Sequence, residues 1–173
     1  INLIKYDIMD YVKEKIDFYK DFPITGVEYI DLNPVYKDPK ARKIIVEKCI
    51  SLIEKVEFDY LALIESRGFL IGSIIADKLD KGIILLRSKK DRLPGKIQTV
   101  RHKLEYGEAI MQVQEGKGRV LIFDDVLATG GTANGAYNVL NKAGYQPIFS
   151  LFLVELSQFK VACDTDHKSA IVL

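Results

Sequence analysis

Residues 120–132, VLIFDDVLATGGT, constrain this chain most. The apolar run Val120 to Phe123 leads straight into two adjacent carboxylates, Asp124 and Asp125. An unbroken apolar run suits a strand buried on both faces. The turn Ala128-Thr129-Gly130-Gly131-Thr132 follows, and a helical pattern begins after it. This order puts two acids at the carboxyl end of a buried strand, beside backbone N–H groups at a helix N-terminus. The acids suit vicinal ribose hydroxyls. The N–H groups suit a phosphate, because unsatisfied donors and the helix dipole both favour an anion there. One short loop can then hold a ribose 5-phosphate by both ends. No Gly-Lys-Ser/Thr is present, so this is not a Walker loop, and G-x-G-x-x-G is absent, so it is not a dinucleotide fingerprint.

The rest of the chain alternates helical and strand patterns. Asp7 is placed to cap a helix carrying Ile8, Val12, Ile16 and Tyr19 on one face. The turn-rich residues 21–39 end in Asp38-Pro39, a strong helix start, and the helix carries Ile45, Cys49, Leu52, Ile53 and Val56. Residues 60–64, 83–87, 119–123, 147–156 and 170–173 read as strands. Between the first two lie a turn, residues 65–68, and a helix whose small residues Gly72 and Ala76 allow close packing on a sheet. The helix after Thr132 is expected to bury Ala136, Leu140 and Ala143 and to end at Gly144. Such alternation predicts an α/β fold, a parallel sheet flanked by helices. Ligands in such folds bind at the carboxyl ends of the strands, where both candidate loops lie. Residues 88–107 break the alternation. They are basic, show no clear period and predict a structureless loop, either a lid or a solvated charged segment.

A length of 173 residues is expected to make one domain, and 48% hydrophobic residues can fill its core. The net charge of +1 gives no strong field towards nucleic acid or membrane, so neither is an expected partner. No apolar run is long enough to span a bilayer, and INLIKYDIMDYVKEK is too interrupted by charge for a signal peptide. Cys49 and Cys163 make neither a disulfide framework nor a zinc site, and Cys49 reads as a core residue. A cytoplasmic location fits these features. His102 and His167 lack ligand-like neighbours and read as surface or loop histidines.

Residues 120–132 resemble the phosphoribosyl-diphosphate motif of type I phosphoribosyltransferases. Four further segments extend the likeness, in order, to adenine phosphoribosyltransferases. DFPITGVEYIDLNPVYKDP, residues 21–39, is similar to their amino-terminal signature, and ESRGFLIG, residues 65–72, to their next motif. RLPGK, residues 92–96, and LEYGEA, residues 104–109, resemble their flexible loop. LVELSQ, residues 153–158, resembles the segment over the base site.

The resemblance implies the type I phosphoribosyltransferase fold, with a small N-terminal hood at residues 21–37 and a flexible catalytic loop at residues 88–107. It implies conversion of adenine and 5-phosphoribosyl 1-diphosphate to AMP and diphosphate, with Mg²⁺ bound alongside the phosphoribosyl diphosphate, in a homodimer. Asp124 and Asp125 would then hold the ribose hydroxyls, and Ala128, Thr129, Gly130, Gly131 and Thr132 the 5′-phosphate. Arg67 and Arg87 would neutralise the diphosphate, and the Glu65–Ser66 peptide bond would be cis. Glu105 would act as general acid/base at adenine N7, with Tyr106 ordering the closed loop. Glu28, Tyr29, Ile30 and Leu156 would surround the base, Tyr29 stacking on it.

This chain departs from the family pattern at Glu28, Ile30 and Glu65, which replaces the more usual aspartate. The base is expected to be read by backbone groups, so the side chains of Glu28 and Ile30 are expected to be replaceable. Two alternatives stand beside this assignment. One is a hypoxanthine, guanine or xanthine enzyme, but its usual lysine for O6 is not found near the hood. The other is a regulator of the same fold that senses phosphoribosyl diphosphate, against which the near-neutral charge and Glu105 both weigh.

Overall fold

The computed structural model describes residues 7–104 and 107–173. The chain forms two compact units, Ile1–Lys48 and Cys49–Leu173.

In the first unit, Asp7 caps α1, Ile8–Lys13, by accepting from the Met9 N–H at 3.0 Å, and Asp10 answers from the third helical position. The helix stops well before Tyr19. Met9, Val12 and Ile16 are buried and Ile8 is exposed, so the expected apolar face holds at Val12 and Ile16 but not at Ile8. Residues Asp17–Lys20 form β1 instead, antiparallel to β2, Glu28–Asp31. Phe18 and Tyr19 favour a strand once a partner is available, and that long-range pairing overrides the local helical period. The connecting turn has Asp21 at φ 57 and Gly26 at φ 88, and Asp21 Oδ1 accepts from the Gly26 N–H at 2.7 Å. After α2, Asn33–Lys37, Asp38 starts α3, Pro39–Leu52, as expected. Its Oδ1 accepts from the N–H groups of Lys40 and Ala41 at 2.8 and 3.0 Å. Lys15 at 2.8 Å, followed by these N–H groups and the Tyr11 hydroxyl, holds the Asp38 carboxyl well below its ordinary pKa.

The second unit is built on a parallel five-stranded sheet. In chain order its elements are β3 (Tyr60–Ile64), α4 (Gly68–Lys78), β4 (Gly82–Leu86), β5 (Ile97–Leu104), β6 (Gly107–Gln114), β7 (Arg119–Leu127), α5 (Gly131–Lys142), β8 (Gln146–Glu155) and β9 (His167–Val172). The sheet order is β4-β3-β7-β8-β9. Alternation along the central strands divides the core. Ala62, Ile64, Val120 and Ile122 pack with Ala136, Val139 and Leu140 of α5. Leu63 and Phe123 meet α4. Burial on both faces explains why VLIF is apolar without interruption.

Gly72 is what lets α4 lie this close. A β-carbon there would stand 2.8 Å from Phe123 Cδ1 and closer still to Leu63 Cδ2. Gly72→Ala is therefore expected to lower unfolding stability by about 1–3 kcal/mol despite its better helix propensity, as read by urea denaturation.

Two strand expectations need correction. β7 runs on through Asp124 and Asp125 to Leu127 instead of ending at Phe123. Residues 88–107 are not structureless throughout, because Ile97–Leu104 is strand β5, paired antiparallel with β6. The backbone of Arg87 bridges to Gln112, donating at 2.9 Å and accepting at 2.8 Å, which ties the hairpin to the end of β4. Alternation in IQTVRHKL was hidden by its charges. Arg101 and Lys103 face solvent, while Val100 joins the core cluster and His102 is half-buried. His102 and His167 accordingly lie in strands β5 and β9, not in loops.

Candidate active site

β7 delivers Asp124 and Asp125 to the carboxyl edge of the sheet, and the chain then turns through Ala128, Thr129 and Gly130 into α5. Gly130 sits at the N-cap with φ 96, a left-handed conformation that side chains disfavour. A β-carbon there would also run into the Ala162 carbonyl oxygen. No side chain caps α5, so its first N–H groups are left for an anion. A solvent-open cleft of about 590 Å³ brings together Arg67, Asp124, Asp125, Ala128, Gly130, Gly131 and Thr132, floored by Phe152. Thr129 is not among its lining residues; its carbonyl accepts from the Ala162 N–H at 3.0 Å.

The two aspartates have different surroundings. Asp125 is 2% exposed, and its Oδ2 lies 2.8 Å from Arg67 Nε at the start of α4. Asp124 Oδ1 accepts from the Asp125 N–H at 2.8 Å. Burial, and then the neighbouring Asp125 charge, push the Asp124 carboxyl well above its ordinary pKa, against the pull of that N–H and of Arg67. Among the described residues no group of three or more His, Cys, Asp or Glu side chains is arranged to hold a metal. The donor set instead suits Mg²⁺, which commonly uses one or two carboxylates and takes its other oxygens from substrate and water.

The Glu65–Ser66 peptide bond is cis, as the resemblance implies. Arg87 does not line the cleft. Its guanidinium pairs with Glu65 Oε1 at 2.9 Å and lies 5.9 Å above the Phe69 ring. Glu65 Oε2 accepts from the Ser88 N–H at 2.7 Å and from its hydroxyl at 3.0 Å. Burial raises the Glu65 pKa, but both Ser88 donors, Arg87 and Arg92 outweigh it, so the net shift is downward. Sequence inspection marked Glu65 only as a departure and missed this role. No local pattern links Glu65 to Arg87, and only the β3–β4 register, Ile64 opposite Leu86, makes them neighbours. Also missed was a brace behind the phosphate loop. Asn134 donates from Nδ2 to the Ala162 carbonyl at 2.7 Å and accepts at Oδ1 from the Asp164 N–H at 2.9 Å.

Leu156 is buried in the second unit, and its N–H donates to the Leu127 carbonyl at 2.9 Å. In the first unit, Tyr29 packs edge-on to Phe22 with ring centroids 5.1 Å apart, beside a pocket of about 540 Å³ that both line with Tyr19, Asp31 and Asn33. Glu28 is exposed. Ile30 is 5% exposed, so a larger side chain there must find room inside the fold. An arginine there would bring a charge to a buried position. Glu105 and Tyr106 lie outside the described residues.

Residues 35–171 match the phosphoribosyl transferase domain family. The chain is 44% identical over 156 residues to the adenine phosphoribosyltransferase of Prochlorococcus marinus (strain NATL1A), covering 88% of this chain and 90% of that protein. It is 37% identical over 151 residues to the adenine phosphoribosyltransferase of Thermosipho melanesiensis, covering 84% and 85% respectively. Among solved structures, the adenine phosphoribosyltransferase of Thermoanaerobacter pseudethanolicus superposes with a TM-score of 0.88 at 32% identity, covering 95% of this chain and 99% of that one. The Giardia lamblia APRTase complexed with 9-deazaadenine superposes with a TM-score of 0.89 at 29% identity, covering 96% and 98%.

Proposed function

Because the chain belongs to the adenine phosphoribosyltransferase family, we propose that it joins adenine to 5-phosphoribosyl 1-diphosphate, giving AMP and diphosphate in purine salvage. The observation that carries this function is the cleft in which Arg67, the Asp124–Asp125 pair and the uncapped start of α5 converge. The α5 N–H groups hold the 5′-phosphate, and Gly130 lets the loop turn closely against the Ala162 carbonyl. Asp124 and Asp125 accept from the ribose hydroxyls. Adenine N9 bonds to ribose C1 as the C1–O bond to diphosphate breaks, so positive charge grows on the ribose and negative charge on the leaving group. The carboxylates stand by the first charge, and Arg67 meets the second. Arg87, held by Glu65, adds a further cation for the diphosphate. Mg²⁺, when bound with the substrate, neutralises part of the diphosphate charge. Glu105 takes the proton that adenine loses at N7, and Tyr106 helps to order the loop around it. Thr129 supports the phosphate loop through its backbone. Tyr29 offers a stacking face to the base, with Leu156 as apolar cover.

The direct test is AMP formation from labelled adenine with hypoxanthine, guanine and xanthine as competitors. Equal use of a 6-oxopurine would overturn the adenine assignment. A homodimer and a cytoplasmic location complete the proposal. The family resemblance supports the first, and the two-cysteine composition, which makes no disulfide framework, supports the second. Among the described residues no helix is long and apolar enough to cross a membrane.

Two predictions arise here. Glu28→Val should change the adenine KM less than about tenfold, whereas Tyr29→Ala should lose stacking worth about 1–3 kcal/mol. Ile30→Arg should lower the unfolding temperature before it alters base choice, which thermal scans beside adenine and hypoxanthine kinetics would show. The second concerns pH. A raised folded pKa makes ionised Asp124 a cost to the fold above its unfolded value, so protonation of this group stabilises the empty protein as pH falls. The same protonation removes a hydroxyl acceptor. Affinity for phosphoribosyl diphosphate should therefore fall on acidification while pH is still above the ordinary carboxylate range. Calorimetric titration across pH, with Asp124→Asn as the pH-independent control, checks this.

A further inference from the structure

β5 lies antiparallel along α5. Near one end the Lys142 ammonium donates to the Thr99 carbonyl at 3.1 Å. In the middle Val100 packs on the cluster that includes Ala136, Val139 and Leu140. At the other end stand two glycines one helical turn apart, Gly131 and Gly135. A β-carbon at Gly131 would collide with the Lys103 carbonyl oxygen. One at Gly135 would lie 2.5 Å from His102 Cγ, 2.7 Å from its Nδ1 and 2.9 Å from its Cβ.

The imidazole thus occupies space that any side chain at 135 would fill. Its Nδ1 is buried without a hydrogen-bond partner among the described residues. Shape therefore locates this face of the ring in the groove, with no hydrogen bond at Nδ1. Burial pushes the His102 pKa down, which keeps the ring neutral there. Glycine inside a helix also costs stability relative to alanine, so α5 gains nothing locally from Gly135.

α5 starts at the phosphate loop, and β5 leads directly to Glu105. We propose that Gly135 is a positioning residue for the transfer reaction: the groove that it leaves on α5 seats His102, and so sets β5, which ends one residue before Glu105 in the chain, against the helix that holds the ribose phosphate. This rests on the adenine phosphoribosyltransferase function proposed above. It adds a contact that couples the helix holding the phosphate to the strand leading to the acid/base.

Gly135→Ala, His102→Ala and the double variant test the seat, by steady-state AMP formation and by hydrogen exchange of the full-length protein. Small displacements of a catalytic group are costly to turnover. Gly135→Ala should lower kcat about ten- to hundredfold, with KM for both substrates changed less than about threefold. Exchange of amides 97–103 should quicken while that of β7 and β8 stays slow. His102→Ala empties the groove without touching the helix and should shift both readouts in the same direction. It keeps the seat testable if Gly135→Ala does not fold. In the double variant the new methyl group enters space vacated by the imidazole, so kcat should recover at least about fivefold over Gly135→Ala alone.

Unchanged turnover and exchange in the single variants would overturn the seat. So would a Gly135→Ala loss that His102→Ala does not relieve, since the effect would then act through α5 itself. Failure of the wild-type chain to make AMP would overturn the adenine function and the positioning role with it. The exchange data would then still show by themselves whether Gly135 holds β5.

Discussion

Glu105→Gln lowers turnover by about 10²–10⁴-fold and leaves binding of adenine and phosphoribosyl diphosphate much less affected. Glutamine preserves the size of the side chain and most of its hydrogen bonding. It cannot take up a proton near neutral pH. As N9 bonds to the ribose, adenine must lose a proton from N7, and in the variant that proton has only solvent to go to. Glu105 stands in the chain between Leu104, the last residue of β5, and Gly107, the first of β6. Single-turnover measurements separate the chemical step from binding. Lost affinity with normal turnover would make Glu105 a binding residue and remove the acid/base assignment.

Asp124→Asn and Asp125→Asn each lower kcat/KM for phosphoribosyl diphosphate by about 1.5–3 kcal/mol, roughly ten- to 150-fold, with adenine affinity little changed. The two should differ in stability. Asp125 carries the buried end of the contact with Arg67 at 2.8 Å, so Asp125→Asn takes one of the two neighbouring acids away from that guanidinium and leaves Asp124. The Arg67 side chain is 40% exposed, and water can take over part of its solvation. The cost to the fold is therefore below the several kcal/mol of breaking a fully buried pair. Asp124→Asn removes an acid that burial already disfavours as a charge, so the empty protein should be unharmed or firmer. Kinetics and urea denaturation on both variants check the pattern. Wild-type efficiency in both would exclude the pair from ribose binding.

The elements legible in the chain were those in which local chemistry and tertiary environment agree. Tyr60–Ile64 is a strand residue for residue, because a parallel strand covered on both faces must be apolar throughout. The Asp38-Pro39 start of α3 needs only its own side chain and the N–H groups two and three residues on. The close packing of α4 showed in Gly72. Asp124, Asp125 and the glycine turn belong to one continuous stretch, so most of the cleft was readable from thirteen letters, residues 120–132.

Where distant partners decide, the sequence misled or was silent. Tyr19 continues a helical period but pairs with Tyr29 as strand, because the β2 edge gives its backbone hydrogen-bond partners that an isolated helix end lacks. The charges of β5 concealed a strand whose inner residues pack on α5. Ile30 gave no sign of its burial, since an exposed and a buried isoleucine are written alike.

By itself, then, the sequence determined the parallel α/β architecture, the acid pair with its phosphate-binding turn, and the family to which the chain belongs. These rest on contacts within a few residues or on one strand's periodicity. The tertiary structure alone decided that Glu65 holds Arg87, that Asn134 braces the loop from behind, and that Gly135 makes room for His102. Each joins residues far apart in the chain, and the geometry that brings them together is a property of sheet register and helix packing, which no local pattern encodes.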